Sequence, residues 1–333
     1  MNEEMEAAQA WVARLAPFRK AANTRSWLEL FVTLCLFVLL WVTAYRLLSV
    51  SVWHSLPVVL LAGAIMVRLF IIQHDCGHGS FFSSKQANSW VGRALGILTL
   101  TPYDSWKHMH AVHHAGSGNL ERRGVGDIDT LTTEEYLART RWGRFRYRLY
   151  RHPLVMFGLG PAYLFLLRHR WPLGGMKDGV KPWLTVMATN AGIVLVFLLI
   201  IHLLGLTAFF VLHLPMILIG ASIGVWMFYI QHQFDDTHWD HKEDWTKAHS
   251  ALHGSSFYDL PKPMMWLTGN IGIHHVHHLS SRIPFYKLPD VLEAYPEFRQ
   301  IGRLTLLESL KCVKLALWDH ENKRMVTFRE IRS

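Results

Sequence analysis

Three short runs of histidine stand out from the rest of the chain. They are His74-Asp-Cys-Gly-His78, His110-Ala-Val-His113-His114 and His274-His-Val-His277-His278. Their patterns are HxxxH, HxxHH and HxxHH. Neutral imidazole is a common metal ligand, and it suits iron, zinc, copper and nickel. On a helix, residues three and four apart share a face, with Cβ atoms roughly 5–6 Å apart. Such a pair can grip one ion or two neighbouring ions. A single HxxxH is a weak signal. Two copies of HxxHH beside it make a strong one, because surface histidines have no reason to repeat one spacing.

The implied ligand set is nitrogen-only. Asp75 is the one carboxylate inside the runs, and its place next to His74 turns it off the ligand face. This separates the site from carboxylate di-iron bundles, which use Glu and Glu-x-x-His. Metal-bound histidines donate their other N–H to a supporting group; Asp75, Asp104, Asp127, Asp129, Asp235, Asp236 and Asp259 are the candidates. The scattered His54, His152, His169, His202, His213 and His320 read as structural or interfacial. His108, His238, His241, His249 and His253 lie near the runs and read the same way. The cysteines are Cys35, Cys76 and Cys312, which make neither a pairable framework nor an iron–sulfur set.

Long apolar blocks must position these histidines. Apolar types make up 51% of the 333 residues and mean hydropathy is +0.15. Trp27–Val50, Leu56–Gln73, Trp183–Leu204 and Leu206–Ile230 are each long enough to cross a bilayer. Pro215 predicts a kink in the last of them. Trp90–Leu100 and Pro153–Leu167 are too short and read as interfacial. The division is a polar segment 1–26, a transmembrane region 27–230 with the first two runs in a loop 74–182, and a polar cap 231–333 of short helices. The polar start does not resemble a cleavable signal peptide. Arg68 in the second span is expected to snorkel to the surface. Trp27, Trp53 and Trp183 read as interface anchors.

Lysine and arginine orient the spans. Residues 1–26 hold four, 73–152 eleven and 231–333 thirteen, whereas the turns at 50–55 and near Gly205 hold none. The positive-inside rule therefore puts both termini and all three runs in the cytoplasm. The net charge of +9 suits an acidic partner or an anionic lipid surface; nothing in the sequence points to nucleic acid. A histidine-rich metal transporter would need ionisable residues near the bilayer midplane, and the four spans hold almost none.

With these residues in place, the chain resembles the membrane fatty acid desaturases, whose three histidine boxes have these patterns. The likeness covers about Trp27 to Leu317. It is sharpest in Gln231-His-Gln-Phe-Asp-Asp-Thr-His-Trp239, Gly254-Ser-Ser-Phe-Tyr-Asp-Leu-Pro-Lys262 and the run from Thr268 to Pro284. These stretches look like bacterial acyl-lipid desaturases of the Δ5 and Δ12 kind. The resemblance implies an all-α integral membrane protein with four transmembrane helices and a cytoplasmic helical cap, in the bacterial inner membrane. It implies two irons, dioxygen and removal of two hydrogens from an acyl chain. The implied ligands are His74, His78, His110, His113, His114, His274, His277 and His278, with His232 similar in position to a ninth. Animal stearoyl-CoA desaturases place an Asn four residues before that ninth histidine, where it holds a metal-bound water. Phe228 stands there in this chain; Asn270, four before His274, is another side chain that could face the site.

Dioxygen takes four electrons on reduction to water and the substrate gives two, so two come from outside. The sequence has no GxGxxG loop and no CxxCH. A separate reductant is expected, and the family precedent in bacteria is ferredoxin. The alternative is a related histidine-box oxygenase, either an alkane hydroxylase or a carotenoid ketolase or hydroxylase.

Overall fold

The computed structural model describes residues 10–172 and 179–331. The first nine residues of the polar start, and part of the loop before Trp183, lie outside the described residues. The protein is mostly helical. Helix α1 is Asn23–Leu48, α2 is Val52–His78, α3 is Lys85–Leu98 and α4 is Tyr103–Gly116. The short α5 (Thr133–Ala138) and α6 (Arg141–Tyr150) follow, then α7 (Val180–Ala208) and α8 (Leu214–His232).

Among the described residues, three helical stretches are long and apolar enough to cross a membrane: Asn23–Leu48, Val52–His78 and Val180–His232. The third runs to 53 residues but is broken. Gly205 has φ 87° and ψ 163°, values no helix contains. Phe197 then meets Phe209 and His213, with ring centroids 4.9 and 5.7 Å apart. Twelve residues of straight helix would hold the Phe197–Phe209 pair about 18 Å apart. The chain therefore reverses at Gly205, where only glycine adopts this backbone without strain. A π-helical turn, Phe209–His213, precedes Pro215. Proline cannot donate to the regular ladder and crowds the carbonyl four residues back, so the irregular turn falls where the kink was expected.

Helix α2 packs between α1 and α8. A Cβ on Gly63 would lie 2.6 Å from Ile219, and one on Gly220 would lie 3.0 Å from the Gly63 carbonyl. These small residues let the two helices approach closely, as in membrane bundles. Arg68 departs from the snorkelling expectation. It is 1% exposed. Its guanidinium pairs with Glu29 of α1 at 2.5 Å and donates to the Thr33 hydroxyl at 3.2 Å and to the Trp266 carbonyl. A local counter-ion removes the need to reach water. Trp27, Trp53 and Trp183 all face outward near helix ends.

Helices α3 and α4 have 14 residues each, about 21 Å long and shorter than a hydrocarbon core of about 30 Å. Residues 153–167 form mainly π-helical turns, and Phe157 packs on Trp226 and Tyr229 near the end of α8, at 5.0 and 5.3 Å.

The polar C-terminal part is not purely helical. It contains α9 (Lys247–His253), α10 (Lys262–Leu267), α11 (His274–Leu279), α12 (Leu288–Ala294) and α13 (Leu306–Cys312). It also holds strands. The strand Leu131–Thr132 (β1) pairs parallel with Leu315–Asp319 (β4), which pairs antiparallel with Arg324–Thr327 (β5). Phe257–Asp259 (β2) pairs parallel with Arg303–Thr305 (β3). This part is fastened to α8: the Tyr229 hydroxyl bonds the Cys312 and Leu315 carbonyls, both at 2.7 Å. Buried Arg151 donates to Gln233 and to the Leu315 carbonyl. The N-terminal segment packs here too. Trp11 meets Tyr295 and Phe298 at 5.2 and 4.8 Å, and Arg19 donates to Ser280 at 2.9 Å.

Candidate metal centre

Four helices deliver the histidines. Helix α2 runs on past its apolar stretch, so His74 and His78 lie one turn apart on one face. Gly79, with φ 66°, then ends it. Helix α4 carries His110, His113 and His114. His232 is the last residue of α8. The third run forms α11, whose six residues are all buried. The Ser256 carbonyl, beside β2, accepts the backbone N–H of both His274 and His275. That pins a helix too short to stand alone.

All nine expected histidines converge, in two groups. His74, His78, His110, His114 and His277 form one; His113, His232, His274 and His278 form the other. Within each group the donor atoms lie within 4.8 Å of one another. Facing Nε2 atoms are 3.0 Å apart for His78–His110 and His110–His114. They are 3.1 Å apart for His232–His274 and 3.2 Å for His114–His277. Two nitrogens each about 2.1 Å from one ion lie about 3.0 Å apart at a right angle and about 3.4 Å at a tetrahedral angle. The observed spacings are those of coordination edges. The buried Nε2 atoms of His113 and His278 have no hydrogen-bond partner among the described residues. A buried polar atom left unsatisfied is costly, so both fit a bound ion. Burial, followed by the neighbouring imidazoles, holds His110, His114, His274, His277 and His278 well below the ordinary imidazole range. They are neutral at pH 7, the form that binds metal.

The supporting contacts are specific. His74 Nδ1 faces Asp75 Oδ1 at 3.2 Å, and Asp75 Oδ2 accepts the Phe285 N–H at 2.6 Å. His113 Nδ1 bonds Asp127. His232 Nδ1–H donates to the Gly254 carbonyl at 3.1 Å. Of the other carboxylates considered, Asp104 pairs with Arg93 and Asp259 with Arg303. Asp129 enters bonds through its backbone, accepting from Tyr147 and Arg151 at its carbonyl. None of Asp104, Asp129, Asp235, Asp236 and Asp259 is seen bonded to a histidine of the three runs among the described residues. His275 belongs to neither group; its Nε2–H donates to the Phe298 carbonyl at 2.9 Å. Asn270 turns away, bonding the Phe285 carbonyl.

Two aromatic walls were not anticipated. Trp106 stacks on His110 at 4.6 Å and 16°. It lies four residues before His110 on the same helix, a spacing that does place it on that face. Phe228 lies 5.1 Å from the His113 ring and 5.3 Å from His232. Phe228 thus sets an apolar ring beside the second group, at the position where the resemblance called for comparison with an Asn.

Known proteins are similar in sequence. The fatty acid desaturase family model matches residues 51–305. A fatty acid desaturase of Bacillus subtilis (strain 168) is 43% identical over 324 residues, covering 96% of this chain and 90% of that protein. An sn-1 acyl-lipid omega-3 desaturase (ferredoxin) of Synechocystis is 28% identical over 255 residues, 73% of this chain and 67% of its own. An sn-1 oleoyl-lipid 12-desaturase of Arthrospira platensis is 25% identical over 282 residues, 84% and 77% respectively. With its three apolar helical stretches and its histidine groups, this chain is a membrane protein of the fatty acid desaturase family.

Proposed function

We propose that this desaturase sets a cis double bond in the acyl chain of a membrane lipid, at a centre of two irons held by the nine histidines. The observation that carries this is the division of those histidines into two adjoining groups, buried or half-buried, at coordination-edge spacing. Bound there, the irons would supply the activation of dioxygen that no side chain provides. The balance is one CH2–CH2 unit, one dioxygen, two electrons and two protons giving CH=CH and two waters. The protein's own part is to orient and to exclude. Asp75, Asp127 and the Gly254 carbonyl hold the Nδ1 side of His74, His113 and His232, which aims each Nε2 inward. Trp106 and Phe228 keep water from the imidazoles.

The acyl-lipid substrate is favoured by the names of the cyanobacterial relatives, one of which also carries the word ferredoxin. A small acidic electron carrier suits the Lys- and Arg-rich segments that flank the histidines. In this reading the hairpin at Gly205 makes the third apolar stretch two spans, four in all. Both termini and the polar cap then lie on the cytoplasmic side of a bacterial inner membrane. No observation favours the hydroxylase or ketolase alternative. The test is to express the chain in a desaturase-free bacterium and analyse membrane lipids, with iron counted on purified protein. New monounsaturated chains and about two irons per chain support the proposal. A hydroxylated product, or activity without iron, overturns it.

A further inference from the structure

A third histidine group lies apart from the two central ones. His238, Asp240 and His249 offer donor atoms within 4.8 Å of one another, and all three residues are half-buried. His238 Nε2 is 2.8 Å from Asp240 Oδ2, and the His238 and His249 rings are 4.8 Å apart. His253, one turn beyond His249 on α9, sets its ring 4.5 Å from it. We propose that His238, Asp240 and His249 form a third metal site, which binds one structural zinc ion.

The donor chemistry favours this class of ion. Two imidazoles and a carboxylate suit zinc and neighbouring transition metals rather than magnesium or calcium, which prefer oxygen. Zinc takes four ligands in tetrahedral sites; His253 or a water can complete the set. The donors come from segments already locked together by backbone. The Asp240 N–H donates to the Gly118 carbonyl and the Leu120 N–H to the Asp240 carbonyl, both at 2.9 Å. The Ser250 hydroxyl of α9 donates to the Ser117 carbonyl at 2.5 Å. Such a scaffold presets the ligands, which lowers the ordering cost of binding.

Position gives the ion a task. Residues 117–120 follow α4, which carries His113 of the second central group. His238 is six residues past His232. Helix α9 ends at Gly254, whose carbonyl holds His232. A zinc ion here ties the His238–Asp240 segment to α9, and hydrogen bonds join both to residues 117–120. It differs from the proposed irons in ligands and place.

The test counts zinc per chain on full-length protein in detergent, after loading with zinc chloride and desalting. The wild type should hold one more zinc than the double variant His238→Ala/His249→Ala. That difference reads the third ion whatever the central groups hold, so it stands or falls separately from the iron proposal. His249→Cys keeps a zinc donor and should retain the extra ion, an outcome a merely packed or hydrogen-bonded histidine would not give. Asp240→Asn leaves the backbone bonds to Gly118 and Leu120 in place. It should weaken that ion's affinity about tenfold or more in chelator competition. Equal zinc counts in the wild type and the double variant overturn the proposal, as does an unchanged affinity in Asp240→Asn.

Discussion

His232 stands alone in the sequence, outside every repeated spacing. Its Nε2 lies 3.1 Å from His274 Nε2, and its ring is 4.8 Å from His113 and 4.9 Å from His278. If it is a ligand, His232→Ala should lose about one iron per chain and most desaturation. Iron per folded protein, beside unsaturated product in membranes, decides this; two irons in His232→Ala would remove it from the set. The third run contains its own control. His275 Nε2 is committed to the Phe298 carbonyl, whereas His277 Nε2 faces His114 at 3.2 Å. His275→Gln should therefore retain most of the iron and His277→Gln should not. Equal loss in both would make His275 indispensable to the centre. The repeated spacing drew out the three runs, and the family resemblance picked eight histidines within them and His232 as a ninth. The acceptors behind them were not legible. Every residue has a carbonyl, so nothing in the sequence singles out Gly254 or Phe298. Asp127 was one of seven equivalent carboxylates until the loop after α4 brought it to His113.

Helix α2 does two jobs along one axis, and Gly77 shows how tightly. A Cβ there would lie 2.8 Å from the Trp106 ring. Trp106 in turn stacks on His110 and meets Phe70 of α2 at 5.4 Å. An added methyl therefore displaces the indole or parts α2 from α4. Overpacking of this kind costs about 1–3 kcal/mol. Gly77→Ala should lower iron content and activity while the protein still purifies folded. A smaller ring in Gly77→Ala/Trp106→Phe should recover much of both. Full activity in the single variant would show that Trp106 is free to move. At this scale the long helices were readable from unbroken apolar runs, and the break at Gly205 from a glycine between two of them. The small sheets were not. Strands of two to five residues are too short for alternation to emerge, and β1–β4 joins residues nearly two hundred positions apart. Arg68 looked like a snorkelling side chain because Glu29 is 39 residues away in sequence and meets it only after α1 folds back on α2.

The arrangement of the whole molecule follows from which ends of the helices share a side. Histidines at the C-terminal ends of α2 and α8 meet in one centre with those of α4 and α11. Those two helix ends must therefore lie at one level. The N-terminal segment packs on residues just beyond α11, through Trp11, Arg19 and Ala22, so it shares that level. The turns at Val50 and Gly205 fall at the far ends of α1 and α2, and of α7 and α8. They carry no Lys or Arg, while the histidine-bearing segments are rich in both. In the proposed orientation, which follows the positive-inside rule, the histidine side faces the cytoplasm. Single cysteines read this directly, on a background with Cys35, Cys76 and Cys312 replaced by Ala. Val50→Cys and Leu206→Cys replace exposed side chains at the turns and should react with an impermeant maleimide added to intact cells. Arg282→Cys, exposed just past α11, should react only after the membrane is opened. Labelling of Arg282→Cys in intact cells would invert the orientation. Protection of Leu206→Cys alone would mean that the hairpin at Gly205 does not reach the outer surface, leaving α7 and α8 short of two full crossings.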